Sequence, residues 1–571
     1  MSRHHPASPR ISLCMIVRDE ATMLPDCLAS VAGAVDELVI VDTGSTDGTQ
    51  RLAQEAGAVL LTSAWNDDFA TPRNVGLRAA TGDWALILDA DERLVRGAAR
   101  VIRDAVRDDQ IDCGLLPLHN AAREDADVED VRGGQGRRAE VSYLPRLLRR
   151  LPDLAFEGIV HENVTPWLLP RAERARILPG ADIVHLGYAA SVQRARQKYA
   201  RDTALLEKAI ARDPRDPGPY GYLALAHLEA GRVDRAEAVA EAGWPRLPPP
   251  SRGTEVTALR LGVARAALAL DRGDRDRALA TLTTAGRHWP DHPDLWFLRG
   301  CTAEAHALDA ETATERTEAL REAENAFRRA HAGRDGIFAQ RLLTGATTWA
   351  TWLRRGAIAL LKGRPGEARD AFEHADREGA PSVLCDLGRA EAALARRQPE
   401  TARALVRRAL DALDRPDERD VPPRARADAH LLAALVAEAE GDLRTMATQL
   451  TATRRHLGGG SFAASHRRPR FFDAATVLAL HHGQFIDAPG PFGQLSVLLR
   501  GETRAVRGGA ARPLDPGMRD RLFRRWILSG RTEALEHLLR PEAEVRLPGL
   551  AGALAAVVSD LGRDRAVMAA S

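Results

Sequence analysis

Acidic residues follow several apolar runs near the start of the chain, and they are the first candidates for chemistry. Four of them stand out by position: Glu20, Asp42, Asp89 and Asp91. If the runs are parallel strands, their carboxyl ends meet at one edge of a sheet, where α/β proteins bind ligands. Carboxylates crowded at one edge repel one another unless a cation neutralises them. The pattern therefore predicts a cation site at that edge.

The predicted cation is Mg²⁺ or Mn²⁺, because these ions accept one or two protein carboxylates and complete their coordination with water and substrate phosphates. A diphosphate bound through the metal is the natural ligand. The sequence has no G-x-G-x-x-G after a strand and no G-x-x-x-x-G-K-[ST], so the glycines of dinucleotide and P-loop phosphate sites are missing. We therefore expect the phosphates to be held through the metal.

These acidic loops need strands to position them, and the first ninety residues have the required rhythm. Short apolar runs alternate with helix-like segments; the runs cover residues 11–17, 38–41, 59–61 and 85–88. The alternation predicts βαβ units and a mainly parallel sheet. Further strands are predicted at 114–118 and 141–148, with the polar stretch 121–140 between them as a mobile loop.

Beyond residue 193 the strand pattern ends, and Ala, Leu, Arg and Glu fill helix-length blocks. A unit recurs in which a break residue is followed five positions later by a small residue, as in Gly231 and Ala236, Gly273 and Ala278, or Gly363 and Ala368. Weaker copies pair Arg397 with Ala402 and Gly441 with Met446. A glycine at the break permits φ > 0, and the small residue lets the second helix approach closely. The unit resembles a tetratricopeptide repeat. An Ala-rich helical bundle is the alternative.

The length and composition of the chain limit the classes of protein to which it could belong. At 571 residues the chain is too long for one core, and 80 basic against 79 acidic residues leave a net charge of +1, which disfavours nucleic acid as a partner. The five scattered cysteines predict reduced thiols. The longest early apolar run is too short for a signal or a membrane span. We expect a cytoplasmic protein with no transmembrane segment.

The predicted domains are a disordered terminus at 1–10, a catalytic domain at 11–190, helical repeats at 191–458 and a helical cap or tail at 459–571. In fold class this is an α/β domain with a mainly parallel sheet, followed by an all-α helical-repeat domain. The oligomeric state is left open, a homo-oligomer included.

Residues 11–94 strongly resemble the inverting family 2 glycosyltransferases of GT-A fold. Four motifs in the order typical of that family carry the resemblance: C-M-I-V-R-D-E at 14–20, V-D-T-G-S-T-D-G-T at 41–49, F-A-T-P-R-N at 69–74, and D-W with L-D-A-D-E at 83–92. Asp19 stands where family members commonly have Asn. The resemblance implies transfer of a sugar from a nucleoside-diphosphate donor.

The resemblance also implies roles for individual residues. Asp42 and Glu20 would recognise the base or ribose, Asp89 the ribose, and Asp91 would hold the metal, while Arg73 and Asn74 would touch the diphosphate or base. The full predicted donor set is Val17, Glu20, Asp42, Ser45, Arg73, Asn74 and Asp89. For the Asp42 loop alone, an ordinary strand-turn-helix is the simpler interpretation, but the D-x-D pair after a second strand favours a donor site.

Two motifs further along resemble the closing motifs of family members that carry repeats: F-E-G-I-V-H-E at 156–162 and I-V-H-L-G-Y at 183–188. An inverting transfer needs a base that deprotonates the acceptor. Glu162 is the first candidate and Glu157 the second. His161 or His185 could complete the metal shell or bind the diphosphate. The alternative is that each histidine is a hydrogen-bonded core residue.

The acceptor is less defined than the enzyme class. Helical repeats offer extended surfaces for peptides and proteins, and the resemblance extends to bacterial enzymes of this two-part architecture that modify peptides, so a peptide or protein acceptor is expected. A saccharide or lipid-linked acceptor in envelope synthesis is one alternative. A binding scaffold whose transferase domain is vestigial is the other.

Overall fold

The computed structural model describes residues 8–137, 141–187, 192–249, 255–310, 312–335, 342–343, 345–414, 424–456 and 555–559. Most of the predicted terminus at 1–10 and nearly all of the predicted cap at 459–571 lie outside this range. The chain divides into two compact units. The first is Met1–Ala264 with Arg287–Trp289 and Gly336–Thr344, and the second is Arg265–Gly286, Pro290–Asp335 and Gly345–Ser571. The predicted domain boundaries remain predictions.

A mixed sheet of nine strands organises the first unit. The strands are β1 Ile11–Val17, β2 Glu37–Asp42, β3 Val59–Thr62, β4 Trp84–Ile87, β5 Glu92–Leu94, β6 Cys113–Asn120, β7 Ser142–Arg149, β8 Ala175–Ile177 and β9 Ile183–His185. Their order is β3-β2-β1-β4-β7-β6-β9-β5, with β8 beside β6. Five of the eight strand pairings are parallel. The predicted α/β class with a mainly parallel sheet is confirmed.

Short helices connect the strands of this unit: α1 Leu24–Ser30, α2 Thr49–Glu55, α3 Ala70–Ala79, α4 Ala98–Ala105, α5 Val128–Gly133 and α6 Thr165–Leu168. Helix α5 lies inside the stretch predicted to be a mobile loop, so that prediction is wrong for this part. The Asp127 carboxylate caps the helix by accepting from the backbone N–H groups of Glu129 and Asp130, and Gly134 ends it at φ 103°.

Both faces of the sheet are covered, as an uninterrupted apolar strand requires. Successive residues of β1 and β4 enter different clusters: Leu13 and Leu86 pack in one, and Cys14 and Ile87 pack in the other. Because side chains alternate across a strand, each cluster lies on one face of the sheet. The edge that carries the ends of β1, β2 and β4 is thus anchored by buried strands.

Helices make up the rest of the described chain. They are α7 Val192–Arg212, α8 Gly218–Glu229, α9 Val233–Gly243, α10 Glu255–Arg272, α11 Arg275–His288, α12 Pro293–Asp309, α13 Ala313–Ala332, α14 Trp349–Leu361, α15 Pro365–Arg377, α16 Ser382–Ala395, α17 Pro399–Leu413, α18 Ala425–Ala439 and α19 Leu443–His456. Among the described helices, none is both long and apolar enough to span a bilayer.

The recurrent break and the residue five positions later have the predicted geometry. Gly231, Gly273 and Gly363 take φ of 68°, 75° and 70°, and the weaker copy places Arg397 at φ 58° without a glycine. The residues five positions later are fully buried: Ala236, Ala278, Ala368, Ala402 and Met446. The helical-repeat architecture predicted from this unit is confirmed.

Close helix packing in the second unit depends on glycines that face Phe372. A Cβ added at Gly356 of α14 would lie 2.5 Å from Phe372 Cε1 of α15. We expect Gly356→Ala to lower the free energy of unfolding by about 1–3 kcal/mol through overpacking. The measurement is urea denaturation followed by circular dichroism. Gly366→Ala, where the added Cβ meets nothing within 4 Å, is the control and should not destabilise the protein. Equal stability of the two variants would contradict the close packing.

Candidate functional site

The loops after β1 and β2 are joined by hydrogen bonds that fix the first acidic residues. Asp19, at φ 55°, accepts the backbone N–H of Thr46 through its carboxylate at 2.7 Å, and the backbone N–H of Asp19 donates to Ser45 Oγ at 2.9 Å. The N–H of Glu20 donates to Thr49 Oγ1 at 2.8 Å. Asp and Asn tolerate left-handed φ better than other residues do, which explains an acidic residue at position 19.

Asp42 ends β2 and is buried, and its carboxylate organises the loop that follows. It accepts the backbone N–H groups of Gly44 and Ser45 and the Gln50 amide at 2.6 Å. Burial alone would raise the pKa of Asp42, but these hydrogen bonds lower it below its ordinary value. Val17 supports the same loop, because its carbonyl accepts the N–H of Thr43 at 3.0 Å.

A guanidinium from α3 connects the D-x-D loop to the Phe156–Glu162 segment. Arg73 Nη2 donates to Asp89 Oδ1 at 2.8 Å, and its Nε donates to Glu162 Oε1 at 2.5 Å. The Arg73 and Glu162 side chains are only 9% and 11% exposed. Charged pairs in such surroundings are strong and geometrically specific. Arg73 therefore fixes the first candidate base relative to the D-x-D pair.

A second guanidinium, which the sequence did not indicate, neutralises the same loop. Arg146 of β7 donates to Glu92 at 2.5 Å and approaches Asp89 at 3.5 Å. Burial raises the pKa of Glu92 to about 7 although Arg146 opposes this. Burial would also raise the pKa of Asp89, but Arg73 and then Arg146 hold it well below its ordinary value. Three carboxylates and two guanidiniums thus form one network.

Asp91, the second acidic residue of the D-x-D pair, contacts His185 of β9. Strand β5 pairs antiparallel with β9, opposing Glu92 to His185, and His185 Nε2 lies 3.2 Å from Asp91 Oδ2. Its other nitrogen, Nδ1, lies 2.9 Å from the side-chain oxygen of Asn120, the residue opposite it on β6. If Nδ1–H donates to Asn120, the Nε2 lone pair is available to a cation placed beside Asp91. Without a cation, burial would lower the pKa of His185, but Nε2–H of the protonated ring donates to the Asp91 carboxylate, which raises that pKa above its ordinary value.

These donors fit a divalent cation. Asp91 and His185 present one carboxylate oxygen and one imidazole nitrogen toward each other, and Mg²⁺ or Mn²⁺ takes few protein ligands beside water and phosphate oxygens. Burial, and after it repulsion from Asp91 and Asp89, raises the pKa of Glu20 to about 7. A cation would relieve that repulsion. Within the described ranges, no group of three or more His, Cys, Asp or Glu side chains is arranged to hold a metal.

The segment that carries Glu162 is held by a side chain predicted to touch the donor. The Asn74 amide donates to the Phe156 carbonyl at 2.9 Å and accepts the Phe156 N–H at 2.8 Å, as a neighbouring strand would. A backbone bridge between Glu157 and Asn163 closes the segment at its other end. Asn74 therefore positions Glu162, and its contact with the donor stays a prediction.

The remaining candidates occupy different surroundings. Glu157 is exposed on the segment, while the His161 ring stacks on Tyr222 of α8 with 4.0 Å between centroids. The charges that act on His161 come from Asp202, Arg260, Lys198 and Arg201 rather than from the D-x-D pair. The structure thus brings together six of the predicted residues: Glu20, Arg73, Asp89, Asp91, Glu162 and His185. Metal binding by His161 stays a prediction.

A mixed sheet with this strand order, an acidic pair after β4 and loops joined across β1 and β2 defines a GT-A-like domain. The model of glycosyl transferase family 2 matches residues 12–125, and a tetratricopeptide repeat model matches residues 194–260. The chain therefore carries a family 2 glycosyltransferase domain followed by tetratricopeptide repeats.

Similar proteins share these two parts in their names. A TPR repeat-containing protein of Synechococcus elongatus is 40% identical over 37% of this chain and 50% of its own length. The prophage-derived glycosyltransferase SunS of Bacillus subtilis is 24% identical over 37% of this chain and 47% of its own length. The chain thus spans about half the length of these relatives.

Solved structures resemble the chain only loosely. The S. aureus TarS structure has a TM-score of 0.28 at 16% identity, covering 48% of this chain and 54% of that one. A tetratricopeptide repeat protein from Parabacteroides merdae has a TM-score of 0.34 at 13% identity, covering 49% and 96%. The fold is defined by the strand order and the helical repeats of the chain itself.

Loss of the Arg73 bridge should destabilise the domain, because Glu162 and Asp89 would lose their shared cation. We expect Arg73→Met to lower the free energy of unfolding by about 3 kcal/mol. Arg73→Lys should lower the free energy of unfolding less than Arg73→Met, because it keeps the positive charge, but it should remain below the wild type because an ammonium cannot reproduce both hydrogen bonds. The measurement is urea denaturation, with exposed Arg78→Met on the same helix as control. If Arg73→Met were as stable as Arg78→Met, the bridge would not support the loop.

Glu20 should make the metal-free protein less stable as pH rises. Its pKa is raised from 4.5 to about 7 on folding, so between these values the folded state holds a proton that the unfolded state releases. The free energy of unfolding therefore falls as pH rises from about 4.5 to about 7 and stays lower above it. Glu20→Gln should remove this loss. At pH 8 its free energy of unfolding should exceed that of the wild type by about 1 kcal/mol, a value reduced for the partial exposure of Glu20.

Urea denaturation at pH 5 and pH 8 without divalent metal measures this effect. Glu55→Gln, at an exposed position on α2, is the matched control and should leave the pH dependence as in the wild type. If Glu20→Gln kept the full wild-type loss of stability between the two pH values, the pKa of Glu20 would not be raised by folding, and the prediction would be wrong.

Proposed function

We propose that the protein is an inverting glycosyltransferase that moves a sugar from a nucleoside-diphosphate donor to an acceptor, with Mg²⁺ or Mn²⁺ at Asp91 and His185. One observation carries the proposal: Arg73 bonds both Asp89 and Glu162, which joins a donor-side acidic pair to a carboxylate that can serve as base. The family 2 domain supports the same activity.

On the donor side, Asp42, Glu20 and Asp89 would bind the base and ribose of the nucleotide. Asp91 and His185 would hold the metal, which as a Lewis acid supplies charge stabilisation to the departing nucleoside diphosphate. Asn120 would orient the His185 ring through its hydrogen bond to Nδ1. Arg73 and Arg146 keep Asp89 ionised and fixed, so that it can accept hydrogen bonds from a ribose.

On the acceptor side, Glu162 would act as general base. Arg73 Nε bonds its Oε1, which leaves Oε2 to take the proton from the acceptor nucleophile. As that nucleophile forms its bond to the anomeric carbon, the bond from this carbon to the diphosphate oxygen breaks on the opposite face, and the configuration inverts. The proton then passes from Glu162 to solvent. Glu157 is the second candidate for this role.

The repeats would bind a peptide or protein acceptor, because helical hairpins in series offer extended surfaces to such chains. A saccharide or lipid-linked acceptor is the alternative, and a scaffold with an inactive transferase domain is another. The five cysteines are all free thiols, which supports a reducing compartment and hence our proposal of a cytoplasmic location.

Donor binding tests the proposal directly. We would incubate the full chain with a panel of sugar nucleotides and Mn²⁺ or Mg²⁺, and measure thermal stabilisation and slow donor hydrolysis. A ligand at one hundred times its dissociation constant should add about 2.7 kcal/mol to the stability of the domain. Asp91→Asn should lose both effects, whereas Asp104→Asn, exposed on α4, should retain them.

Replacement of the candidate bases separates binding from chemistry. Glu162→Gln should keep metal-dependent donor stabilisation but lower donor turnover by about 10²-fold or more, as expected when a general base is lost. A larger loss in Glu157→Gln than in Glu162→Gln would transfer the role to Glu157. If no donor stabilises the wild type with either metal, the transferase proposal fails and the scaffold alternative takes its place.

A further inference from the structure

A buried arginine near the candidate base has no acidic partner among the residues that the structure describes. Arg260 of α10 is 5% exposed. Its guanidinium carbon lies 3.6 Å from the centroid of the Tyr222 ring, and its Nη2 donates to Tyr222 Oη. In the part of the chain that the structure describes, these are the contacts of its charged group. Burial lowers the pKa of Arg260, and Tyr222 is the group that opposes this shift.

An isolated buried charge is strongly unfavourable unless something compensates it. Arg316 in the second unit shows how the chain solves that problem elsewhere. It is 7% exposed, and it donates to the carbonyls of Ala307 and Leu361, which lie in the last turns of two helices where the helix dipole is negative. Arg260 has a single neutral phenol in place of two helix ends. Within the described residues, its charge is thus compensated only by the ring and hydroxyl of Tyr222 and by no anion or helix end.

The Arg260 guanidinium lies close to the segment that carries Glu162. The His161 ring stacks parallel on Tyr222 with 4.0 Å between centroids, and His161 directly precedes Glu162. Because two flat groups cannot both lie within 4 Å of the same ring on the same face, His161 and Arg260 cover opposite faces of Tyr222. Lys198 and Arg201 also act electrostatically on His161, with Asp202 as the opposing charge. The surroundings of the candidate base on this side are cationic.

We propose that Arg260 forms an acceptor subsite for a carboxylate, the side chain of an acidic residue in a peptide acceptor. This inference rests on the proposed function, since it assigns the acceptor of that reaction. One guanidinium matches one carboxylate in both charge and bidentate geometry, so the buried pair would be neutral. A phosphate dianion would leave surplus charge there. The subsite lies on helices of the repeat region, in agreement with an extended peptide ligand.

Thermal stabilisation of the full chain by small anions tests the subsite without a known acceptor. The probes are the α-amide of N-acetylglutamate, called N-acetylglutamate below, which carries a single side-chain carboxylate as a peptide residue does, and inorganic phosphate. Each probe is compared with sodium chloride at equal ionic strength. We expect N-acetylglutamate to stabilise the wild type and Arg260→Met to require at least tenfold more of it for the same shift. Arg246→Met is the matched control, because Arg246 also lies over a tyrosine, Tyr220, and bonds the Pro214 carbonyl; it should respond as the wild type does.

Stability without anion supplies a second, independent readout. If Arg260 is held for a ligand, Arg260→Met removes an uncompensated charge and should melt at the wild-type temperature or above it. If Arg260 is a structural residue, Arg260→Met should melt lower, and this would overturn the proposal. Stabilisation by phosphate alone would overturn the carboxylate assignment, and equal responses of Arg260→Met and wild type would overturn the subsite.

The same measurements separate this proposal from the transferase. If the wild type binds and hydrolyses a donor but is not stabilised by N-acetylglutamate, the transferase proposal stands and the proposed Arg260 subsite is wrong. Stabilisation through Arg260 in a protein that binds no sugar nucleotide would support a carboxylate site and overturn its role in glycosyl transfer.

Discussion

Repulsion among carboxylates at one edge of the sheet is the constraint on which the site depends. Parallel strands β1 and β2 end in register at Val17 and Asp42, and β4 delivers the D-x-D loop to the same edge. Burial, and after it repulsion from Asp91 and Asp89, raises the pKa of Glu20 there. Arg73 and Arg146 neutralise Asp89 and Glu92, whereas Asp91 contacts His185, where we propose that a cation binds.

The two acidic residues of the D-x-D pair, Asp89 and Asp91, therefore have different partners. Asp89 is committed to guanidiniums of the protein, whereas Asp91 faces an imidazole that can serve as a metal ligand. The same Arg73 that neutralises Asp89 also bonds Glu162. Donor-side and acceptor-side carboxylates are thereby connected through one rigid group, so a shift of α3 would move both.

The helices that follow the sheet extend this site within the first unit. Tyr222 supports the segment that carries Glu162 by stacking on His161, and Arg260 lies beneath Tyr222. If Arg260 binds the acceptor as we propose, the Tyr222 ring would connect that site to the segment that carries the candidate base. The His161 backbone, at φ 54°, adopts a conformation that a non-glycine residue rarely takes, which agrees with a segment held by its contacts.

The sequence by itself determined six of the nine strands, the acidic loops and the repeat breaks, and it suggested the candidate residues, because local apolar runs, glycines and short motifs encode these features directly. The short strands β5, β8 and β9 were not predicted. Gly231 and Gly363 have the backbone geometry that their positions predicted. The side-chain partners of the candidate site residues could not be predicted from the sequence. Arg146 reaches Glu92 across 54 residues and Asn120 reaches His185 across 65, and nothing local marks either. Only the tertiary structure decided these pairings, since strand register across the sheet, and not proximity along the chain, determines which side chains meet.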